Sequence, residues 1–436
     1  MSRQSYAKYR PSGVEWLGDL PCHWAIQRVK FAATLINDKT AAGDAGLPYV
    51  GLENVESWTG KLIGLDKECA ADGISNRFAA GDVLFGKLRP YLAKALEASC
   101  DGVCSSEILV LRPCEVHSRY LLYFVLSRDF VNIVDSSTYG AKMPRASWDF
   151  IGNLSIPIPP SPEQQVIAAF LDRQTGKIDA LVEKKRRLIE LLKEKRAALI
   201  SHAVTKGLNP NVPMKDSGIE WLGMVPEGWE IVPLRHLAIS IQTGPFGSQL
   251  HADDYRPGGV PVVNPVHLVD GRVVGDEGAA VDNEVFHRLR RHALKPGDIL
   301  FARRGEIGRC GLVEENQANW LCGTGSMRVR LDHSKCVPRF LNFLFNSNPF
   351  GKELTLNAVG TTMLNINNTI LARMCVAVPP CREQWEIVDC LQESCFVTEA
   401  LITRVTGAIS RLLEYRTALI SAAVTGKIDV RGEAAG

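Results

Sequence analysis

Two short turns hold the side chains most able to do chemistry. Gly81-Asp-Val-Leu-Phe85 is followed by Lys87 and Arg89, and Gly297-Asp-Ile-Leu-Phe301 is followed by Arg303 and Arg304. An acidic residue at a strand end near a cation could be a fragment of a nuclease site, as with Asp82 and Lys87 or Asp298 and Arg303. The commoner role of such an aspartate is to close a turn, leaving the cations beyond it free to meet phosphate. Further basic clusters are Lys142 with Arg145, and Arg288 with Arg290 and Arg291. The motifs of other chemistries are absent. There is no glycine-rich phosphate or dinucleotide loop, no Gly-x-Ser-x-Gly elbow, no His-Glu-x-x-His pair and no Asn-Pro-Pro-Tyr-type methyltransferase motif. The 9 histidines are dispersed singly, and none of the 12 cysteines forms a Cys-x-x-Cys pair. The chain reads as non-catalytic, with no metal and no cofactor of its own.

Composition sets the frame for these residues. The chain has 436 residues, 46% hydrophobic and 22% charged, as expected of a globular protein of two or three domains. The net charge is only +2. Residues 1–160 hold 17 basic and 17 acidic side chains, and 207–380 again 17 and 17, whereas 161–206 hold 10 and 6. Neither globule is basic overall, so contact with a polyanion must come from local clusters. No apolar run is long enough to cross a membrane, and the polar N-terminus lacks the apolar core of a secretion signal. Scattered unpaired thiols fit a reducing compartment, so a cytoplasmic location is expected.

The architecture follows from an internal repeat. Ser12-Gly-Val-Glu-Trp-Leu-Gly18 recurs as Ser217-Gly-Ile-Glu-Trp-Leu-Gly223, each followed by a proline (Pro21, Pro226) and a tryptophan (Trp24, Trp229). Arg119-Tyr-Leu recurs as Arg339-Phe-Leu, Pro159-Pro160 as Pro379-Pro380, Glu163-Gln164 as Glu383-Gln384, and Ala198-Leu-Ile-Ser201 as Ala418-Leu-Ile-Ser421. Segments near 30–80 and 235–295 share almost nothing. One frame therefore carries two different inserts.

The last part of each copy reads as one long helix. Ser161-Pro162-Glu163-Gln164 has the pattern of a capping box with proline at the first helical position, and Cys381-Arg382 stands in its place in the second copy. Ile167, Leu171, Ile178, Leu181, Leu188, Leu192 and Leu199 follow at three- and four-residue steps. Ile387, Leu391, Leu401, Val405, Leu412, Tyr415 and Leu419 repeat the seam. Such a helix over 163–205 would be about 64 Å long. Strands are predicted at 83–85, 108–111, 299–301 and 327–331, and short helices at 120–127 and 340–345. Two seams of matching period should bury against each other, antiparallel, with a globule at each end of a rigid spacer and both globules facing one side. Two readers so held suit half-sites about 34 Å apart, or a multiple of it. The rival expectation is a scaffold that spaces two protein partners without reading sequence.

These residues resemble the specificity subunit of type I restriction-modification systems over nearly the whole chain. The resemblance rests on Trp-Leu-Gly-x-x-Pro-x-x-Trp at 16–24 and 221–229, and on Gly-Asp-Val-Leu-Phe-Gly-Lys-Leu-Arg-Pro-Tyr-Leu at 81–92. It rests also on Thr-Gly-Pro-Phe-Gly-Ser-Gln-Leu at 243–250, on Gly-Asp-Ile-Leu-Phe-Ala-Arg-Arg-Gly at 297–305, and on Pro-Pro followed by Glu-Gln in both copies. It implies an α+β fold with pseudo-two-fold symmetry: mixed α/β target-recognition domains at 1–160 and 207–380, separated by long antiparallel helices at 161–206 and 381–436, the latter with the C-terminal tail. It implies double-stranded DNA with a bipartite, asymmetric target as ligand. The implied partners are two modification subunits, which carry S-adenosylmethionine and methylate adenine, and restriction subunits, which hydrolyse ATP and cut DNA. The chain itself would be non-catalytic and cofactor-free. Candidate contacts to phosphate or base are Lys87, Arg89, Lys142, Arg145, Gln249, Arg303 and Arg304.

Overall fold

A computed structural model describes residues 4–41, 47–64, 74–140, 142–245, 249–359 and 365–433. The chain divides into two compact units, residues 1–186 with 405–436, and residues 187–404. Each long helix contributes one end to each unit.

In unit 1 the central sheet has the order Ala33–Ile36, Ile108–Pro113, Val83–Gly86, Ala95–Glu97, all antiparallel. The sequence-predicted strands lie at its middle. A second sheet, built by the insert, runs Lys39–Ala41, Ile74–Phe78, Gly102–Ser105, Tyr49–Val50, and its last pair is parallel. One core gathers Trp24, Phe85, Tyr120, Phe124 and Phe130 against Ile167, Leu171 and Ile178 of the first long helix, with Leu419 and Val424 of the second. Val50, Val55, Phe78 and Leu84 form a separate core beneath the insert.

Unit 2 keeps the same central strands and extends them. Its sheet has the order Ala238–Thr243, Ser326–Leu331, Ile299–Ala302, Cys310–Leu312, Gly271–Val273, Leu268–Val269. The insert adds Ala280–Val281, Tyr255–Val263 and Leu321–Cys322 as a three-stranded sheet. Trp229, Phe301, Phe340, Phe345 and Phe350 share a core with Val204 of the first long helix and with Ile387 and Leu391 of the second. Short helices at Ser118–Val125 and Pro338–Phe345 stand where the repeat places them.

The repeated motifs have matching physical roles. Gly81 and Gly297 take φ of +86° and +85°, which a residue with a Cβ adopts only under strain. The turn then points the next carboxylate inward. Asp82 Oδ2 accepts from Ala79 N at 2.8 Å, and Asp298 Oδ2 accepts from Lys295 N at 2.8 Å. Each buried aspartate also takes a two-pronged guanidinium: Arg112 at 2.9 and 2.8 Å, and Arg330 at 2.8 and 2.7 Å. Trp24 Nε1 donates to Glu163 at 3.1 Å and Trp229 Nε1 to Glu383 at 3.1 Å, which ties each Trp-Leu-Gly motif to a helix start. Gln164 accepts from His117 N at 2.7 Å and donates to Pro159 O at 2.9 Å. Gln384 does the same with Val337 N at 2.7 Å and Pro379 O at 2.8 Å. These glutamines bridge two loops rather than close a capping box.

The long helices run Ser161–Lys206 and Cys381–Val424, 46 and 44 residues, unbroken through Gly176 and Gly407. Their antiparallel course is visible inside each unit. In unit 1, Tyr120 Oη donates to Pro157 O before the first helix and to Val424 O at the end of the second, while Arg416 pairs with Asp179 at 2.9 Å. In unit 2, Arg196 pairs with Glu399 at 2.9 Å, and a Cβ on Gly207 would lie 3.2 Å from Glu383 Oε1. The expected seam is buried only in part, and in the second helix Leu401 and Tyr415 stay 40% and 50% exposed. Leu181, Leu188 and Leu199 remain 43%, 41% and 43% exposed, because a two-helix contact covers only a narrow stripe.

Candidate nucleic-acid interface

In unit 1 four of the seven candidate residues come together. Val83–Gly86 is an inner strand of the central sheet, and the chain beyond its end is held by backbone bonds to Glu107 and to the 139–146 loop. Lys87 N donates to Glu107 O at 2.9 Å, Ala146 N to Lys87 O at 2.9 Å, and Arg89 N to Pro144 O at 2.8 Å. Tyr139 and Arg145 exchange N–H···O bonds of 3.2 and 3.0 Å, closing the loop that carries Lys142. Arg89 sits at φ +51°, a left-handed conformation unusual for a side chain with a Cβ, and is exposed. The cations do not stand alike. Arg145 is held by both oxygens of Glu107 at 3.0 and 3.1 Å, and this carboxylate raises its pKa. Lys142 and Arg89 are exposed and Lys87 half-buried, and none of the three has a side-chain partner among the described residues. Exposed Tyr91, Tyr139 and Met143 belong to the same two segments, giving flat apolar surface beside the charge.

Unit 2 repeats the scaffold with other side chains. Arg303 N donates to Gly325 O at 2.9 Å and Ile366 N to Arg303 O at 3.1 Å, the counterparts of the two bonds at Lys87. Val359 and Asn365 exchange bonds of 3.0 and 2.9 Å, the counterparts of those between Tyr139 and Arg145. Arg303 turns partly inward, its Nε 3.3 Å from Ile366 O, and burial followed by the neighbouring Arg304 lowers its pKa. Arg304 is exposed. The motif at 243–250 reaches the same place at its start: Gly244 N donates to Ser326 O at 2.9 Å, and a Cβ there would meet Gly323 O at 1.9 Å. Residues 246–248 of that motif lie outside the described residues. Gln249, at its far end, is joined instead to the 252–288 segment. Its carbonyl faces Arg288 Nη2 at 3.4 Å, and its buried side-chain oxygen has no partner among the described residues.

Sequence reasoning missed what neutralises several of these cations. Arg288 pairs with Asp254 at 3.1 Å and so is no free positive charge, whereas Arg291 Nε donates to His292 at 2.9 Å and keeps its charge. Asp254 lies 34 residues from Arg288, a separation that leaves no periodic signal. Asp82 and Asp298, the acids of the imagined nuclease fragments, are enclosed in the arginine pairs of the turn. Among the described residues no group of three or more His, Cys, Asp or Glu could hold a metal ion. No helix among them is long and apolar enough to cross a membrane.

Residues 37–191 and 226–403 match the family described as type I restriction modification DNA specificity domain. The EcoKI specificity subunit of Escherichia coli K12 is 24% identical over 96% of this chain and 92% of that protein. The MjaVIII specificity subunit of Methanocaldococcus jannaschii is 24% identical over 81% of this chain and 77% of its own length. A solved chain from work on the assembly and conformational transition of a type I restriction-modification system has a TM-score of 0.69 at 20% identity, over 93% of this chain and 98% of its own. The HsdS subunit of Thermoanaerobacter tengcongensis has a TM-score of 0.52 at 18% identity, over 94% and 98%.

Proposed function

The chain belongs to the type I restriction modification DNA specificity family, and from that premise we propose how its two units divide the work. The chain is a DNA sequence-specificity subunit. Its recognition domains are residues 1–160 and 207–380, each reading one half of a bipartite, asymmetric target in double-stranded DNA. The helices of 161–206 and 381–436 set the spacing and dock two modification subunits, to which restriction subunits join. The chain carries no active site and no cofactor, and it works in the cytoplasm.

One observation carries this reading. The same hydrogen bonds hold Lys87 in unit 1 and Arg303 in unit 2 at the same strand end, while the inserts beside them differ. A fixed presentation of variable surfaces is what two readers of different half-sites require. Lys87, Arg89, Lys142 and Arg304 meet phosphates and fix the register on the duplex. Arg145, Arg303 and Gln249, each committed or partly buried, are placed to contact bases once DNA replaces their present neighbours. The adenine to be methylated must leave the stack, so the spacer has to align two enzymes as well as two readers.

The test exchanges residues 215–380 for an insert from another chain of this frame and assembles the product with the modification subunits. Mapping of methylated adenines should show one half-site changed, with the other half and the spacing kept. Changes in both halves, or methylation without base preference, would refute the reading.

A further inference from the structure

The first insert is fastened to the long helices by one buried cation. Its hairpin closes through the Val55–Leu62 bridge and a 2.9 Å bond from Glu56 N to Lys61 O. The tip is set by two positive φ values, +67° at Trp58 and +76° at Gly60. A Cβ on Gly60 would lie 3.2 Å from Leu122 and 3.3 Å from Leu126, so the tip lies tight against the 118–125 helix and its end. Trp58 N donates to Ala93 O at 3.0 Å. Into this tip reaches Arg416 from the second long helix. Its Nη1 donates to Trp58 O at 2.7 Å, its Nη2 to Thr59 O at 3.1 Å, and its Nε to Asp179 of the first long helix at 2.9 Å. Lys61 closes the group on the other Asp179 oxygen at 2.7 Å.

The repeat shows that this arrangement is more than a helix–helix tie. Arg196 and Glu399 are the counterparts of Arg416 and Asp179 and make the same ion pair in unit 2. The Arg196 side chain is 29% exposed, against 4% for Arg416, and bonds no insert carbonyl among the described residues. A planar guanidinium that grips two successive carbonyls and a carboxylate fixes the orientation of all three. The hairpin it grips leads directly into the insert core of Val50, Val55 and Phe78.

We propose that Arg416 is a positioning residue that sets the pose of the first recognition insert on the helix pair, and thereby the assembled complex's intolerance of altered spacing between half-sites. The role rests on the two-reader function above. A reader fixed to the helices meets its half-site only at one phase of the duplex. A reader released from them can rotate to follow a half-site moved by a base pair.

The experiment uses the full chain assembled with its modification subunits, and duplexes carrying the mapped target with its natural spacer or one base pair more or less. Wild type should methylate the natural spacing far better than either alternative. In Arg416→Met that ratio should fall at least about tenfold, with every base requirement in both halves retained, and Arg416→Lys should restore part of it. A ratio equal to wild type, or an equal loss at all spacings, overturns the role of Arg416. Should Arg416→Met fail to assemble, Lys61→Met takes its place; Lys61 is half exposed, and the ratio must then fall about threefold or the proposal is wrong. A wild-type complex indifferent to spacing would overturn the two-reader function itself, and this role with it.

Discussion

Replacing Gln384 by leucine isolates the joint between globule and helix. The side chain is fully buried, and its bonds among the described residues are those from Val337 N at 2.7 Å and to Pro379 O at 2.8 Å. Leucine keeps most of the volume and leaves one N–H and one C=O enclosed without partners. Each such group costs roughly 1–3 kcal/mol, so the loss should be about 4 kcal/mol. A glutamine that only capped a helix would be worth about 1 kcal/mol, so the size of the effect separates the two roles. For a unit of this size about 2–4 °C of melting temperature accompanies each kcal/mol, which places the shift near 12 °C. Urea unfolding followed by tryptophan fluorescence reads this directly, since Trp229 lies in the same core. Gln164→Leu should cost unit 1 a similar amount, because its bonds to His117 and Pro159 are the same. A loss below about 1 kcal/mol in either variant would refute the bridging argument.

Two further outcomes test the electrostatics. Lys87→Ala, Arg89→Ala and Lys142→Ala should each weaken DNA binding of the assembled complex evenly across sequences. Each should also lower the salt slope by about 1 for every phosphate left without its cation. Arg145→Ala should change the slope less, since Glu107 already neutralises it, and titrations at several salt concentrations decide between them. Burial first, then Arg291 and Arg328, lowers the pKa of His292 from 6.5 to about 4. The unfolded chain then takes up a proton that the folded unit refuses, so stability is present above pH 6.5 and is lost as pH falls toward 4. His292→Gln should flatten that slope, and thermal unfolding at about pH 7, 6, 5 and 4.5 will show whether it does.

Much of this organisation was legible because it repeats. The Trp-Leu-Gly, Gly-Asp and Pro-Pro-Glu-Gln signposts located the central strands, the short helices and both long helices; the sequence grouped Lys87 with Arg89 and Lys142 with Arg145 separately, and only the fold brings the two pairs together. The bonds that give the signposts meaning were not legible. Asp82 and Arg112 are 30 residues apart, Trp24 and Glu163 139, and Trp58 and Arg416 358, distances at which no periodicity survives. The same limit hid the parallel pairing of Tyr49–Val50 with Gly102–Ser105, since parallel neighbours need long crossovers. The helical seam was over-read: Leu181, Leu188, Leu199, Leu401 and Tyr415 keep the spacing of buried residues yet stay exposed, because a single partner helix covers only a narrow stripe. Gln249 entered through its motif, and only the fold separates it from Arg303.

The bonds that Lys87 and Arg303 share, to the neighbouring strand and to the loop ending at Ala146 or Ile366, are all made by main-chain atoms. Nothing in that support depends on which side chain occupies the position, so the surface there can be rewritten without touching what holds it. Outward-facing side chains there can therefore be exchanged while the buried Asp82–Arg112 and Asp298–Arg330 clasps keep each strand end in place, which is what the proposed reading of two different half-sites needs.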